Sequence, residues 1–164
     1  MNKALNFENL NISIPKRKSN SHKGLNGRVL VIAGSRGLGG AGIMASEASL
    51  YSGAGLVTLH THKSNVEASL IRNPEVIALG ISKFFPISEN FSVILYGPGM
   101  QNDEWSNKMP EHLKNIPQES SLIIDAGGLQ HVKDHNLTIS NNTILTPHPG
   151  EASNLLEIPI HEIQ

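Results

Sequence analysis

No cysteine occurs among the 164 residues, so disulfide scaffolds, thiolate metal sites and cysteine nucleophiles are excluded. Charge of one sign is not in excess either. Thirteen Lys and Arg face fourteen Asp and Glu, a formal net charge of −1, which argues against a dedicated nucleic-acid binder. Long hydrophobic runs are missing. Residues 1–15 hold no apolar stretch of signal-peptide length, and strongly apolar runs such as residues 29–33 are far too short to cross a bilayer. The expectation is a cytoplasmic protein with no membrane and no nucleic-acid partner. Internal repeats of solenoid period are also absent. The 38% hydrophobic and 16% charged shares are low, yet they are not those of a disordered chain. The length suits one domain with a real core.

What is present is unevenly placed. Six basic residues (Lys3, Lys16, Arg17, Lys18, Lys23, Arg28) precede residue 30 against one acid, Glu8. Residues 1–20 read as a solvated N-terminal arm, with attraction of an anionic ligand as the alternative. The domain itself is expected over residues 21–164. Nine of the fifteen glycines lie between Gly24 and Gly55, which demands positive φ or close backbone approach there.

Strands alternate with helices along the chain. Continuous apolar runs predict buried strands at residues 28–33, 56–61, 92–96, 121–124 and 143–146. Helices are expected at 41–51, at 65–71 before Pro74, at 103–115 with Pro110 as a kink or break, and from 152 onward. This alternation implies an α/β fold, a mostly parallel sheet flanked by helices. Gly34-Ser35, Gly97-Pro98-Gly99, Asp125 and residues 146–151 each follow the last apolar residue of a predicted strand. Ligands of open α/β sheets bind at those carboxyl ends. Four loops therefore nominate one small-molecule crevice.

Gly37, Gly39 and Gly42 match the spacing G-x-G-x-x-G. However, the second strand ends in His60-Thr61-His62, without the acid that binds ribose hydroxyls in a dinucleotide fingerprint. A phosphate-binding loop of G-x-x-x-x-G-K-[ST] type is not present. The glycines either meet a phosphate or ribose at a helix start or serve packing alone. His60 with His62, and His131 with His135, have spacings that could bind metal, but neither pair has a third ligand nearby in sequence. They read as surface or core histidines.

The segment His22-Lys-Gly-Leu-Asn-Gly-Arg-Val-Leu-Val-Ile-Ala-Gly-Ser35, then Gly40-Ala41, then Ser52-Gly-Ala-Gly-Leu-Val57 resembles the opening of the NAD(P)H-hydrate dehydratases. Pro74-Glu75, Gly97-Pro98-Gly99 and Thr146-Pro-His-Pro-Gly-Glu151 resemble later motifs of that family, in order. The resemblance implies a ribokinase-like fold. It also implies an activity: dehydration of hydrated NADH or NADPH back to the reduced coenzyme, driven by ADP or ATP with Mg2+. Hydroxide is a poor leaving group and phosphate a good one, so phosphorylating the added hydroxyl lets it depart.

By matching position, the resemblance assigns Ala41 and His148 to the hydrated substrate, with Gly97 and Gly99 giving backbone access; Gly34 and Ser35 join them as substrate-site candidates from their place after the first strand. His148 stands between Pro147 and Pro149, which fix the backbone on both sides. Asp125 reads either as a ligand or metal-water contact or as a helix cap. Glu151 reads either as a site acid or as a first-turn acid favoured by the helix dipole.

The chain departs from the family in three places. Asp125-Ala-Gly-Gly-Leu-Gln130 stands where the family has Asp-Ala-Asp-Ala-Leu-Asn, Gln101 replaces a glycine, and no Gly-x-Gly-Asp occurs. The aspartate expected to act as base belongs to that last motif, so no catalytic residue is assigned. The nucleotide-binding part is then expected to be missing, leaving an unpaired sheet edge or an uncovered apolar face, and with it either low stability or association with a second copy or a complementing polypeptide. Two other readings stand beside the dehydratase. One is a non-catalytic nucleotide-binding remnant or half of a split enzyme, and the other a ribokinase-like small-molecule kinase.

Overall fold

The computed structural model describes residues 13, 16–17, 19–82, 87, 90–117, 119–135, 137, 139 and 142–163. Most of the expected N-terminal arm lies outside them. Six strands form one sheet: β1 Arg28–Ile32, β2 Leu56–Thr61, β3 Ile77–Gly80, β4 Val93–Tyr96, β5 Ser121–Ile124 and β6 Thr143–Leu145. Their order is β3-β2-β1-β4-β5-β6, and every neighbouring pair is parallel. Four α-helices connect them: α1 Gly39–Tyr51, α2 Val66–Arg72, α3 Gly127–Asp134 and α4 Pro149–Leu156.

β1 is central and apolar on both faces, so its alternating side chains feed two cores. Leu30 and Ile32 join Ile94, Tyr96, Leu122, Ile124, Met109 and Leu129 on one face. Val31 and Ala33 join Val57, Leu59 and Val76 on the other, under Ile43 and Leu50 of α1. A Cβ at Gly42 would stand 3.1 Å from Leu59 and 3.2 Å from Ala33. That lack of a side chain lets α1 lie close on the sheet and sets where its first turn meets the end of β1.

The five expected strands are all present, and β2 and β5 have the expected bounds. The structure adds β3 and α3. It also turns residues 106–115 into a ten-residue 3-10 segment around Pro110. A proline in a helix interior removes an i→i−4 bond, and the tighter i→i+3 pattern replaces it. α4 starts at Pro149, three residues before the expected position, because proline is well placed in a first turn. β6 pairs with β5 alone among the described residues, and Ile144 on it is 58% exposed. No helix among the described residues is long and apolar enough to cross a membrane.

Candidate functional site

Strand order reverses between β1 and β4, since β1 is followed in sequence by β2 on one side while β4 leads to β5 on the other. At such a switch point two loops diverge and leave a crevice at the carboxyl edge. The loop after β1 and the loop after β4 are stitched together across it. Gly34 N–H donates to Pro98 O and Ser35 N–H to Gly99 O, both at 2.9 Å. Gly34, Gly97 and Gly99 have φ of +81°, +116° and +65°, which L side chains adopt only with strain. A Cβ on Gly99 would stand 2.7 Å from Leu38 O and 3.0 Å from the Ala41 methyl, with Gly34 Cα at 3.5 Å. Gly34, Ala41, Gly97 and Gly99 thus form one patch of close backbone over β1 and β4.

The other half of the rim joins this patch directly. A Cβ on Gly97 would collide with the Asp125 carbonyl oxygen. Asp125 Oδ1 accepts a 2.8 Å hydrogen bond from the Thr146 hydroxyl, which ties the end of β5 to the loop leading to His148. Of the two sequence readings of Asp125, a helix cap is not what its side chain does. α3 is capped by Ala126 with no side-chain bond. Ala126 has φ 48° and ψ −125°, a strained backbone for a residue with a Cβ, and strain of this kind clusters at functional rims.

His148 and Glu151 close a reciprocal cap at the start of α4. His148 Nδ1 accepts from Gly150 N–H (3.1 Å) and Glu151 N–H (3.3 Å), while Glu151 Oε2 accepts from His148 N–H at 2.9 Å. Two amide donors on Nδ1 require it to be the unprotonated nitrogen, so the ring proton of the neutral imidazole sits on Nε2. The side chain is 69% exposed, with Nε2 3.5 Å from Glu151 Oε1. His148 therefore offers an outward N–H donor in a fixed orientation. Glu151 acts as the first-turn acid that orients it.

Ser35 differs from its neighbours. It is fully buried, and its hydroxyl accepts from Gln101 N–H at 3.2 Å and bonds Asp103. Burial opposes the charge on Asp103, yet hydrogen bonds from the Ser106 amide, Ser35, Gln101 and the Trp105 amide hold its pKa below the ordinary carboxylate value. Its N–H is given to Gly99 O and its carbonyl is taken by Leu38 N–H and Asn65, so Ser35 holds the turn from inside and, against the expectation of backbone access, presents no surface to a ligand.

Asn65 was missed by sequence reasoning. Its buried amide donates to Gly34 O (2.9 Å), Ser35 O (3.0 Å) and Thr61 Oγ1 (3.0 Å), and Thr61 Oγ1 donates to Gly34 O at 3.0 Å. A Cβ on Gly39 would press on the Asn65 side chain at 2.7 Å. Together these hold the glycine turn from below. The bonds to Gly34 and Ser35 span 27 to 31 residues of sequence, so no local pattern announces them. Among the described residues no group of three or more His, Asp or Glu is placed to hold a metal ion. His60 and His131 are core residues, whereas His62 faces Trp105 at 6.2 Å between ring centroids.

Residues 29–164 match the family model described as NAD(P)H-hydrate dehydratase. An ADP-dependent (S)-NAD(P)H-hydrate dehydratase of Staphylococcus aureus is 37% identical over 96% of this chain and 59% of its own length. The bifunctional NAD(P)H-hydrate repair enzyme Nnr of Escherichia coli is 34% identical over 96% of this chain and 30% of its own. A solved ribokinase-like superfamily protein from Enterococcus faecalis superposes with a TM-score of 0.81 at 30% identity, covering 92% of this chain and 55% of that one. The ADP/ATP-dependent NAD(P)H-hydrate dehydratase of Bacillus subtilis, co-crystallised with ATP and Mg2+, superposes at 0.75 with 27% identity over 92% and 55%. The chain thus spans about half the length of several such relatives. With a ribokinase-like sheet, a glycine-lined switch point and an ordered run of shared motifs, it belongs to the NAD(P)H-hydrate dehydratase family.

Proposed function

We propose that this chain binds hydrated NADH or NADPH and takes part in its ADP- or ATP-dependent dehydration. The observation that carries this reading is the continuous contact path from Gly34 through Gly99, Gly97 and Asp125 to Thr146, two residues before His148. The donor nucleotide supplies the terminal phosphoryl group that turns the ring hydroxyl into a phosphate leaving group. Loss of that phosphate and of one ring proton restores the double bond. No cluster of three or more acidic or histidine side chains stands ready for Mg2+ among the described residues, and no step is assigned through it.

The chain's own residues bind and orient. The absent side chains at Gly34, Gly97 and Gly99 let the loops after β1, β4 and β5 close on one another, and the small side chain at Ala41 leaves room above them for a flat ring. His148 Nε2–H donates to the substrate, and Asp125 with Thr146 closes the far wall. Binding without turnover is the second reading, favoured by Gly127 and Gln130, which stand where the family has an acid and an asparagine. The open edge of β6, with Ile144 exposed, supports association with a second copy or a complementing polypeptide. Light scattering against concentration tests that. A cytoplasmic location is part of the same proposal, since reduced nicotinamide coenzymes are intracellular.

Hydrated NADH is mixed with the protein, ADP or ATP and magnesium, and recovery of the reduced-nicotinamide absorbance is followed. Turnover above a protein-free control is the expected result for the enzymatic reading. Binding of hydrated NADH by calorimetry without turnover selects the second. No binding at all overturns both.

A further inference from the structure

The carboxyl edge of the sheet carries more than the ring-binding rim. Over β3, β2, β1 and β4 lies a cavity of about 460 Å3, bordered by Arg36, His62, Lys63, Gln101, Trp105 and Lys108. Its volume falls in the range of small-molecule pockets. It continues from the glycine turn, because Gln101 N–H donates to the Ser35 hydroxyl at 3.2 Å and Arg36 is the residue after Ser35.

The lining has two chemical characters. One wall is aromatic: Trp105 meets His62 edge-on at 6.2 Å, and Trp105 Nε1–H is anchored to Ile81 O at 2.6 Å. The mouth is cationic. Arg36 and Lys63 are exposed and form no salt bridge with the described residues. Lys108 is already paired with Glu104 at 2.7 Å. Asp103 borders the same space half-buried, its carboxylate bonded to Ser106 N–H at 2.7 Å, to Gln101 Nε2 at 3.4 Å and to Ser35. Arg36 and Lys63 thus have no carboxylate partner among the described residues, which suits them to an anion from outside.

A dinucleotide whose ring occupies the glycine turn must place a second base, a second ribose and its phosphates nearby. We propose, resting on the function proposed above, that this cavity holds that remote half. The base lies against the Trp105 and His62 wall, and Arg36 and Lys63 pair with the phosphates. The additional ribose phosphate of the NADPH form gains most, so the chain discriminates in favour of hydrated NADPH.

The test is calorimetric titration of the intact chain with hydrated NADPH and hydrated NADH. The NADPH form is expected to bind about three- to tenfold more tightly at low salt, the range of one or two exposed charge-assisted contacts. Added salt should shrink the difference. Arg36→Gln and Lys63→Gln should each lower the ratio, Lys63→Arg should restore it, and Lys114→Gln, on a remote pair with Glu111, should leave it unchanged. Equal affinities for the two hydrates, or a ratio indifferent to Arg36→Gln and Lys63→Gln, overturns the cavity assignment and leaves the ring site standing. If neither hydrate binds, both fall. Thermal melts of each variant exclude misfolding as the cause.

Discussion

Two single residues hold the site in shape, and each can be tested alone. Ala126 follows Asp125 with φ 48° and ψ −125°, where a Cβ costs about 1–3 kcal/mol. Glycine removes that strain and gives back part of it as unfolded-chain entropy, about 0.5–1 kcal/mol. Ala126→Gly is therefore expected to stabilise the fold by about 1 kcal/mol in urea unfolding, and a destabilised variant would contradict the strain. Asn65 works the other way. Its amide adds hydrogen bonds to the carbonyls of Gly34 and Ser35 beside those from Thr61, His62 and Leu38, so Asn65→Ala removes buried hydrogen bonds and side-chain packing without stranding an acceptor and should cost about 2–3 kcal/mol. Asn65→Asp should be worse, because it aims a carboxylate at those oxygens. Equal losses for Ala and Asp would mean that packing against Gly39, and not hydrogen bonding, is what the site needs.

The start of α4 combines a structural duty with a proposed chemical one. His148 caps the helix through Nδ1, while Nε2 is the proposed donor to substrate. His148→Asn keeps a good cap and deletes the imidazole; His148→Ala deletes both, and a lost cap costs about 1 kcal/mol. The expected pattern is near-parental melting with weakened hydrate binding for Asn, and both losses for Ala. Unchanged binding in His148→Asn would remove the histidine from the site. The chance of reading such elements from sequence varied with how local their cause was. β1, β2, β4 and β5 were legible because their apolar runs are continuous, as burial on two faces requires. β3 was not, because Ile77 and Leu79 lie on an edge strand, are 43% and 45% exposed, and give no clear periodicity. α3 was hidden by its Gly127-Gly128 start, a poor helix signal. A Cβ at Gly128 would strike Tyr96 and Gly97 at about 3 Å, so close packing dictates the glycine. The rim loops were legible as a set because each follows a strand. Their supports, Asn65 and Thr61, were not, since their bonds cross the sheet.

For the molecule as a whole, two buried imidazoles set the response to acid. His60 sits in the protein interior beside His112, with ring centroids 6.5 Å apart. His131 lies 2.6 Å from the Tyr96 hydroxyl and 3.3 Å from the Ser106 hydroxyl. Desolvation by burial, with a smaller contribution from a neighbouring histidine, lowers both pKa values from 6.5 to about 4. Burial also raises the Tyr96 phenol above its ordinary pKa, so this network is neutral throughout the physiological range. The unfolded chain binds these protons once the pH drops below 6.5, whereas the fold refuses them until about 4. Stability is then complete above pH 6.5 and declines through that window by about 1.4 kcal/mol per pH unit for each histidine. Ser106 also donates its amide to Asp103, which bonds Ser35 under the glycine turn, so protonating His131 disturbs the floor of the site as well as the core. Urea unfolding at pH 7.5, 6.0 and 5.0 should show this slope, and His60→Gln and His131→Gln should each flatten it. A slope that survives both substitutions would place the acid sensitivity elsewhere.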